Sequence, residues 1–258
     1  MSGTAFAIGA HPDDIEFLMA GTLMLLKEAG YDIHYMNVAN GSCGSVRDDA
    51  ETIVRIRREE AQRAAAAIGA TYHESLVNDM EVLYEKETLA KLGSIVREVA
   101  PEILLLHSPS DYMEDHQNAC RLAVTAAFCR GAPNFPVNPP MAAIEGEVTL
   151  YHAQPHGNRD GMRQPVMPEI FVDVVTVMDR KTAMLAEHKS QKEWLDKSQG
   201  MDSYLAAMED MTRAVGKLSG RYEFAEGWRR RSHLGFCSED ANPLVDVLSE
   251  FCLVRGDN

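Results

Sequence analysis

The sequence predicts an α/β fold in which parallel strands alternate with helices in one sheet. Short apolar runs alternate with longer segments of helical periodicity, the pattern of βαβ units. The run Ile103–Leu106 is continuously apolar, as expected for a strand buried on both faces. Polar side chains follow the first, second and fourth predicted strands, at the ends where such sheets place their ligands. We expect one domain over residues 1–258.

The individual elements follow from local patterns. Thr4–Ala10 is predicted as a strand, and Ile15–Gly30 as a single helix that Gly30 ends. Asp32–Ala39 alternates as a strand does, and Met201–Asn258 mixes helix with irregular segments. The other predicted elements are the helix Thr52–Gly69, the strand Tyr72–Val77, the helix Thr88–Val99, the loop Gly131–Glu147, the strands Val148–His152 and Ile170–Val175, and the helix Met178–Gln199.

Composition excludes several classes of function. The formal net charge of −14 argues against nucleic-acid binding, which needs a basic face, and against docking on anionic membranes. No apolar run approaches 18 residues, so no transmembrane helix is expected. Five cysteines without a CxxC pair, and an N-terminus unlike a signal peptide, favour reduced thiols and a cytoplasmic protein.

Three residues are interpreted as ligands of one metal ion. His11 and Asp14 lie three residues apart at the end of a predicted buried strand, so both can reach the same cation. Asp115-His116, just past Ile103–Leu106, is well placed to supply the third ligand. Such a set favours zinc, which keeps an open position for water at catalytic sites, and would also hold iron, cobalt or nickel.

Asp13 lies beside this site without being needed as a ligand. Its carboxylate can take a proton from zinc-bound water, whose pKa falls to roughly 7, and Asp115 can orient a ligand imidazole. The alternative interpretation is structural. Asp13 and Asp14 open a predicted helix, where carboxylates cap amides and oppose the dipole, and Pro12 suits the first turn.

Six short motifs in order carry a family resemblance. They are Ala10-His11-Pro12-Asp13-Asp14 before Gly21-Thr22-Leu23, Asn40-Gly41 with Gly44, Arg57-Arg58-Glu59-Glu60-Ala61, Asp111-Tyr112-Met113-Glu114-Asp115-His116, His188-Lys189-Ser190-Gln191 and Ala225-Glu226-Gly227-Trp228-Arg229. Together they resemble the signature of the LmbE-like, or PIG-L, deacetylases, which include enzymes acting on N-acetylglucosaminyl compounds. The resemblance is good over residues 4–130 and patchy over 131–258.

This resemblance implies a Rossmann-like three-layer sandwich with a mostly parallel central sheet. It implies that zinc is held by His11, Asp14 and His116, with Asp13 as the general base for removal of an acetyl group. It also implies that Arg57 contacts or orients a small, sugar-containing N-acyl substrate. Family members commonly form trimers or hexamers, so a homo-oligomer is expected.

Two matched motifs contribute further candidates for substrate binding. These are Asn40, which follows the second predicted strand, and His188, for which a surface position on a helix is the alternative. His152 and His156 flank a turn and are expected near the substrate mouth. The basic run Arg229–Arg231 either grips an anionic substrate or forms ion pairs.

One position departs from the family pattern. Many members carry histidine three residues before the second metal-binding histidine, where this chain has Met113, which donates no proton. The phenol of Tyr112 can donate a hydrogen bond instead, and His188 and His233 are other candidates. Three hypotheses follow: a zinc hydrolase removing acetyl groups from amino sugars, an amidohydrolase acting on another polar amide, and a metal-binding module without turnover.

Overall fold

A computed structural model describes residues 3–192 and 204–256. Its centre is an eight-stranded sheet of order β3-β2-β1-β4-β5-β7-β6-β8. The strands are β1 (Thr4–Gly9), β2 (Asp32–Asn37), β3 (Thr71–His73), β4 (Ile103–Leu106), β5 (Thr149–Ala153), β6 (Ile170–Asp173), β7 (Ala225–Arg230) and β8 (Cys252–Val254). Strands β1 to β5 pair in parallel, whereas β7 pairs antiparallel with β5 and β6, and β8 with β6. The predicted mostly parallel α/β architecture is confirmed.

Helices cover both faces of this sheet. They are α1 (Asp14–Leu18), α2 (Ala20–Glu28), α3 (Ala50–Ala67), α4 (Lys86–Val99), α5 (Glu114–Phe128), α6 (Met178–Leu185), α7 (Tyr204–Ser219) and α8 (Pro243–Val247). Along β1, Ala5 and Ala7 belong to a core shared with α1–α3, α6 and α7, while Phe6 and Ile8 belong to a core shared with α4 and α5. Burial of alternate residues on opposite faces produces the three layers.

The helix predicted over Ile15–Gly30 is in fact two helices. Helix α1 ends at Leu18, and Met19 leaves helical geometry before α2 begins. The carboxylate of Glu226 on β7 accepts the amides of Gly21 and Thr22, at 2.8 and 2.7 Å. These amides would otherwise donate to carbonyls one turn earlier, so a residue distant in sequence starts a new helix here.

The helix predicted over Met178–Gln199 is also interrupted. Helix α6 ends at Leu185, and residues 186–188 form a turn and an irregular position before helical structure resumes. There the carboxylate of Glu60 accepts both the backbone amide and the hydroxyl of Ser190. The end of the prediction, residues 193–199, lies outside the described residues.

Most of the remaining predictions agree with the structure, but the tail and one strand differ. The tail was predicted as helix mixed with irregular segments, whereas its described part also contains β7 and β8. The sequence of β7, Ala-Glu-Gly-Trp-Arg-Arg, has neither the apolar run nor the alternation that predicts a strand. The loop Gly131–Glu147 contains neither helix nor strand, as expected. The strand predicted over Tyr72–Val77 is shorter, because only Thr71–His73 pairs continuously and Val77 forms an isolated bridge. Within residues 3–192 and 204–256, every helix is too short or too polar to cross a membrane.

Candidate metal centre

Two neighbouring strands bring the predicted ligands together. Strands β1 and β4 are parallel partners, with Ile8 opposite Leu106, so the segments that follow them leave the sheet side by side. The first segment carries His11 and Asp14, and the second leads to His116 in the first turn of α5. The carboxyl edge of the sheet therefore joins residues about a hundred positions apart.

The three side chains converge on one point. Their donor atoms all lie within 4.8 Å of one another. Nδ1 of His11 is 3.5 Å from Oδ2 of Asp14, and Nε2 of His116 is 3.4 Å from Oδ1. Both histidines are buried, with 7% and 3% of their surfaces exposed. Two imidazoles and a carboxylate facing one space form a donor set that zinc accepts.

The other nitrogen of each imidazole has a carboxylate partner. Nε2 of His11 lies 3.1 Å from Asp115, and Nδ1 of His116 lies 3.0 Å from Asp111. Such bonds fix the tautomer and orientation of metal-binding histidines. The orienting contact expected of Asp115 is therefore present, and Asp111 makes the equivalent contact for the second imidazole.

These carboxylates change the pKa values of the two imidazoles. Burial opposes a charge on His11, but hydrogen bonds to Asp115 and Asp14 outweigh it and raise the pKa of His11 to about 9. Burial likewise opposes charge on His116, but Asp14 and Asp111 raise its pKa to about 10. Metal binding at neutral pH would therefore have to release protons.

Asp13 faces the same cavity from a strained backbone position. Its φ of 112° lies in the left-handed region, and its side chain caps no helix amide. The phenol of Tyr204 donates a 2.6 Å hydrogen bond to Oδ2, and a guanidinium nitrogen of Arg57 lies 3.7 Å from the same oxygen. Burial, with a contribution from Asp14, raises the pKa of Asp13 against the opposing effect of Arg57. A raised pKa suits a carboxylate that accepts a proton near neutral pH.

Arg57 is held under a glycine-containing loop. It is 3% exposed and donates a 2.5 Å hydrogen bond to the carbonyl of Pro12. A Cβ atom on Gly41 or Gly44 would collide with its side chain, so both glycines permit its close approach. Asp79, which sequence analysis did not identify, accepts the Gly41 amide at 2.6 Å and lies 3.9 Å from the guanidinium.

The surrounding cavity has a volume of about 430 Å³. Beyond the residues above, its lining includes Tyr112, Met113 and His156. The Tyr112 ring stands edge-on to the His116 ring, with centroids 5.6 Å apart, and lies 5.9 Å from the His156 ring. A phenol and an imidazole thus line the same cavity as Met113.

Two predicted substrate-binding residues lie outside this lining. Asn40 binds Asn78 and the Ser42 amide, and thus fixes the neighbouring loop. His188 is fully buried rather than on the surface, with Nε2 3.2 Å from the carboxylate of Glu16. Their roles stay predictions. His152 is buried away from the cavity, whereas His156 lines it as expected.

His107 also belongs to the cluster, although sequence analysis did not identify it. Its ring stacks on His116, with centroids 4.3 Å apart, and its Nε2 lies 2.9 Å from the Ala10 amide and 3.1 Å from Asp14. Burial, together with His116, lowers the pKa of His107. A neutral His107 can therefore accept a hydrogen bond from the Ala10 amide and so hold the segment that carries His11 and Asp14. The sequence feature that could have identified His107 is its position directly after the strand β4.

Comparisons with known proteins show which proteins this chain resembles. Residues 6–128 match the PIG-L family model, described as GlcNAc-PI de-N-acetylase. The chain is 30% identical to a 4-oxalmesaconate hydratase of Pseudomonas putida over 70% of this chain and 71% of that protein. It is 29% identical to a diacetylchitobiose deacetylase of Thermococcus kodakarensis, over 86% and 80%. The fold resembles the N,N'-diacetylchitobiose deacetylase of Pyrococcus horikoshii, with TM-score 0.75, 21% identity, and 90% and 85% of the two chains covered.

Proposed function

Because the chain belongs to the LmbE-like, or PIG-L, family, we propose that it is a zinc-dependent hydrolase that removes an acetyl group from an N-acetylated amino sugar. One observation carries the proposal: the donor atoms of His11, Asp14 and His116 converge within 4.8 Å beside Asp13 in one cavity. A pure metal-binding module would not need the buried carboxylate of Asp13.

Different side chains perform the separate steps of this reaction. A bound zinc ion supplies Lewis acidity and lowers the pKa of water to roughly 7. Asp13, held by Tyr204 and Arg57, accepts a proton from the water that attacks the amide carbon. The phenol of Tyr112 donates to the carbonyl oxygen as negative charge develops there. Asp13 then returns the proton to the departing nitrogen, and acetate and a free amine are released.

Support for an amino-sugar substrate comes from the relatives. One is named diacetylchitobiose deacetylase, and another, from Bacillus cereus and 26% identical, is a probable N-acetyl-α-D-glucosaminyl L-malate deacetylase. A cavity of about 430 Å³ is of the size that small ligands occupy. Met113 lines the cavity where many family members have histidine, so another polar amide is the alternative substrate.

A second candidate is hydration of a carbon–carbon double bond. The relative named 4-oxalmesaconate hydratase is 30% identical, and the same base could activate water for addition to an unsaturated acid. The two reactions have different products. Hydrolysis releases acetate and an amine, whereas hydration releases neither and removes the ultraviolet absorbance of a conjugated substrate.

We further propose a cytoplasmic homo-oligomer, a trimer or hexamer as is common in the family. The five cysteines are free thiols, which supports a reducing compartment. Light scattering of the purified protein would test the assembly, and a monomer at micromolar concentration would contradict it.

The first measurement is metal content in the wild type and in His116→Ala, followed by a panel of N-acetyl compounds. We expect about one zinc per chain, lost in the variant, and acetate release from N-acetylglucosamine derivatives. A wild type that stays metal-free in excess zinc would contradict the metal site. A metal-loaded enzyme that hydrates unsaturated acids but releases no acetate would favour the second candidate.

A further inference from the structure

We propose that a second cavity, between α5 and the end of β7, binds the phosphate or carboxylate group of a small ligand. This cavity has a volume of about 480 Å³ and shares no lining residue with the metal cavity. Its lining includes Arg121 and Asn118 from α5, and Arg231 directly after β7. The proposal does not depend on the hydrolase activity.

Its two arginines lack anionic partners. Among the described residues, no carboxylate oxygen lies within 4.0 Å of the guanidinium of Arg121 or Arg231. Elsewhere on the surface, Arg63 and Arg213 make such pairs at 3.0 and 2.8 Å. Arg121 and Arg231 line the same cavity, so an anion entering it from outside would meet two guanidinium groups that no carboxylate of the described residues neutralises.

Neutral groups hold these arginines in place instead. The Arg121 guanidinium lies 4.3 Å above the Tyr84 ring. That of Arg231 lies 3.4 Å from Nε2 of His152 and 6.0 Å from the centre of the Phe236 ring. Burial, reinforced by the nearby arginines, lowers the pKa of His152 to about 4, so its imidazole is neutral. Both cations are thus positioned without being neutralised.

A third arginine strengthens the positive potential. Arg229, two residues earlier on β7, donates a 2.7 Å hydrogen bond to the hydroxyl of Ser108. Its Nε is buried and makes no hydrogen bond within the part of the chain that the structure describes. Glu114 is the one carboxylate in the lining, so the positive charges outnumber it.

The side chains that line this cavity favour an oxyanion as the ligand. Planar guanidinium groups match the paired oxygens of carboxylate and phosphate. Asn118 adds a neutral amide that can donate to a further oxygen. In a chain of net charge −14, a local positive site also concentrates anions that the rest of the surface repels.

Calorimetric titration with inorganic phosphate, at constant ionic strength set by chloride, tests the proposal. We expect saturable binding to the wild type, at least tenfold weaker in Arg231→Gln and in Arg121→Gln. Arg55→Gln removes a surface arginine that is 3.5 Å from Glu59 and should bind as the wild type does. His116→Ala should also bind normally, because the metal cavity is separate. Circular dichroism establishes that each variant is folded.

Three outcomes would overturn the proposal. The first is that the wild type shows no saturable binding. The second is that both cavity variants bind phosphate as tightly as the wild type does. The third is that His116→Ala abolishes binding, which would place phosphate at the metal centre. A wild type that binds no phosphate, with an assembly that Arg231→Gln disrupts, would mean that a second copy supplies the anion. Repeating the titration with citrate distinguishes carboxylate from phosphate ligands.

Discussion

Two buried charged clusters in this molecule have opposite designs. Lys181 and Glu226 form an ion pair at 2.6 Å with 0% and 2% of their side chains exposed, and Glu226 also accepts two amides at the start of α2. Each charge is neutralised inside the protein. The cluster of His11, Asp14 and His116 is almost as buried, yet its donor atoms point at one another beside an open cavity.

The difference shows that burial of charge does not by itself mark a functional site. A closed pair satisfies its own hydrogen bonds and needs no ligand. Convergent donor atoms need a proton or a cation between them, and the neighbouring carboxylates accordingly raise the pKa of both histidines. Substitutions in the two clusters should therefore change different properties.

The largest expected effect is loss of turnover without loss of metal. In Asp13→Asn, the amide cannot accept a proton from water, so kcat should fall by about 10²–10⁴ while zinc content and Tm stay near wild type. Acetate release, measured alongside elemental analysis, checks this. Asp48→Asn, in an exposed loop, is the control and should be fully active. An Asp13→Asn enzyme as active as the wild type would remove the base from the mechanism.

A substitution in the Lys181–Glu226 pair should have the reverse effect, which is loss of stability without loss of metal binding. Lys181→Met leaves the carboxylate of Glu226 buried without its cation, so the free energy of unfolding should fall by about 3–5 kcal/mol. Urea denaturation measures this change. The control, Lys91→Met, breaks an exposed pair with Glu87 and should cost about 1 kcal/mol or less. If both variants lose the same stability, or folded Lys181→Met binds no zinc, the contrast between the clusters fails.

A third substitution sharpens the description of the metal centre. Asp115→Asn keeps the size of the side chain but weakens the bond that orients His11, so zinc affinity should fall about 10–100-fold. Competition with a chromogenic chelator measures the affinity. Glu114→Gln, one residue earlier and exposed, serves as the matched control. Unchanged affinity in Asp115→Asn would mean that the orienting bond contributes nothing to binding.

The smallest effect concerns His152, which belongs to neither cluster. Its pKa falls from 6.5 to about 4 because of burial, so the unfolded chain takes up a proton at a higher pH than the folded chain. This residue therefore reduces stability as pH falls from about 6.5 to about 4, by roughly 1–3 kcal/mol. His152→Asn should show a shallower loss over that window. Identical slopes in wild type and His152→Asn would refute this assignment.

Much of the candidate metal centre could be predicted from the sequence, because its residues follow directly after strands. His11, Asp14 and His116 come just after apolar runs, and the parallel sheet brings such positions together. The same rule could have found Asp79 and His107, which follow the third and fourth strands. Tyr204 could not have been found in this way, because it lies 191 positions after Asp13 on a helix with an ordinary amphipathic pattern.

The predictions of two uninterrupted helices were wrong for a related reason. Their apolar periodicity continues through the break, and a carboxylate from elsewhere in the chain intercepts the local amides. Glu226 does so at the start of α2, and Glu60 does so at Ser190. Local pattern describes which face of a segment is buried, but it does not show which distant side chain competes for its backbone.

The left-handed backbone of Asp13 has a consequence for protein engineering. A residue other than glycine held at such a φ costs about 1–3 kcal/mol, whereas glycine adopts it freely. Replacing Asp13 with glycine relieves this strain but removes both the base and the acceptor of the Tyr204 hydrogen bond. A search for thermostable variants that scores only Tm does not register the loss of the base, so such a search on this chain should also select for turnover.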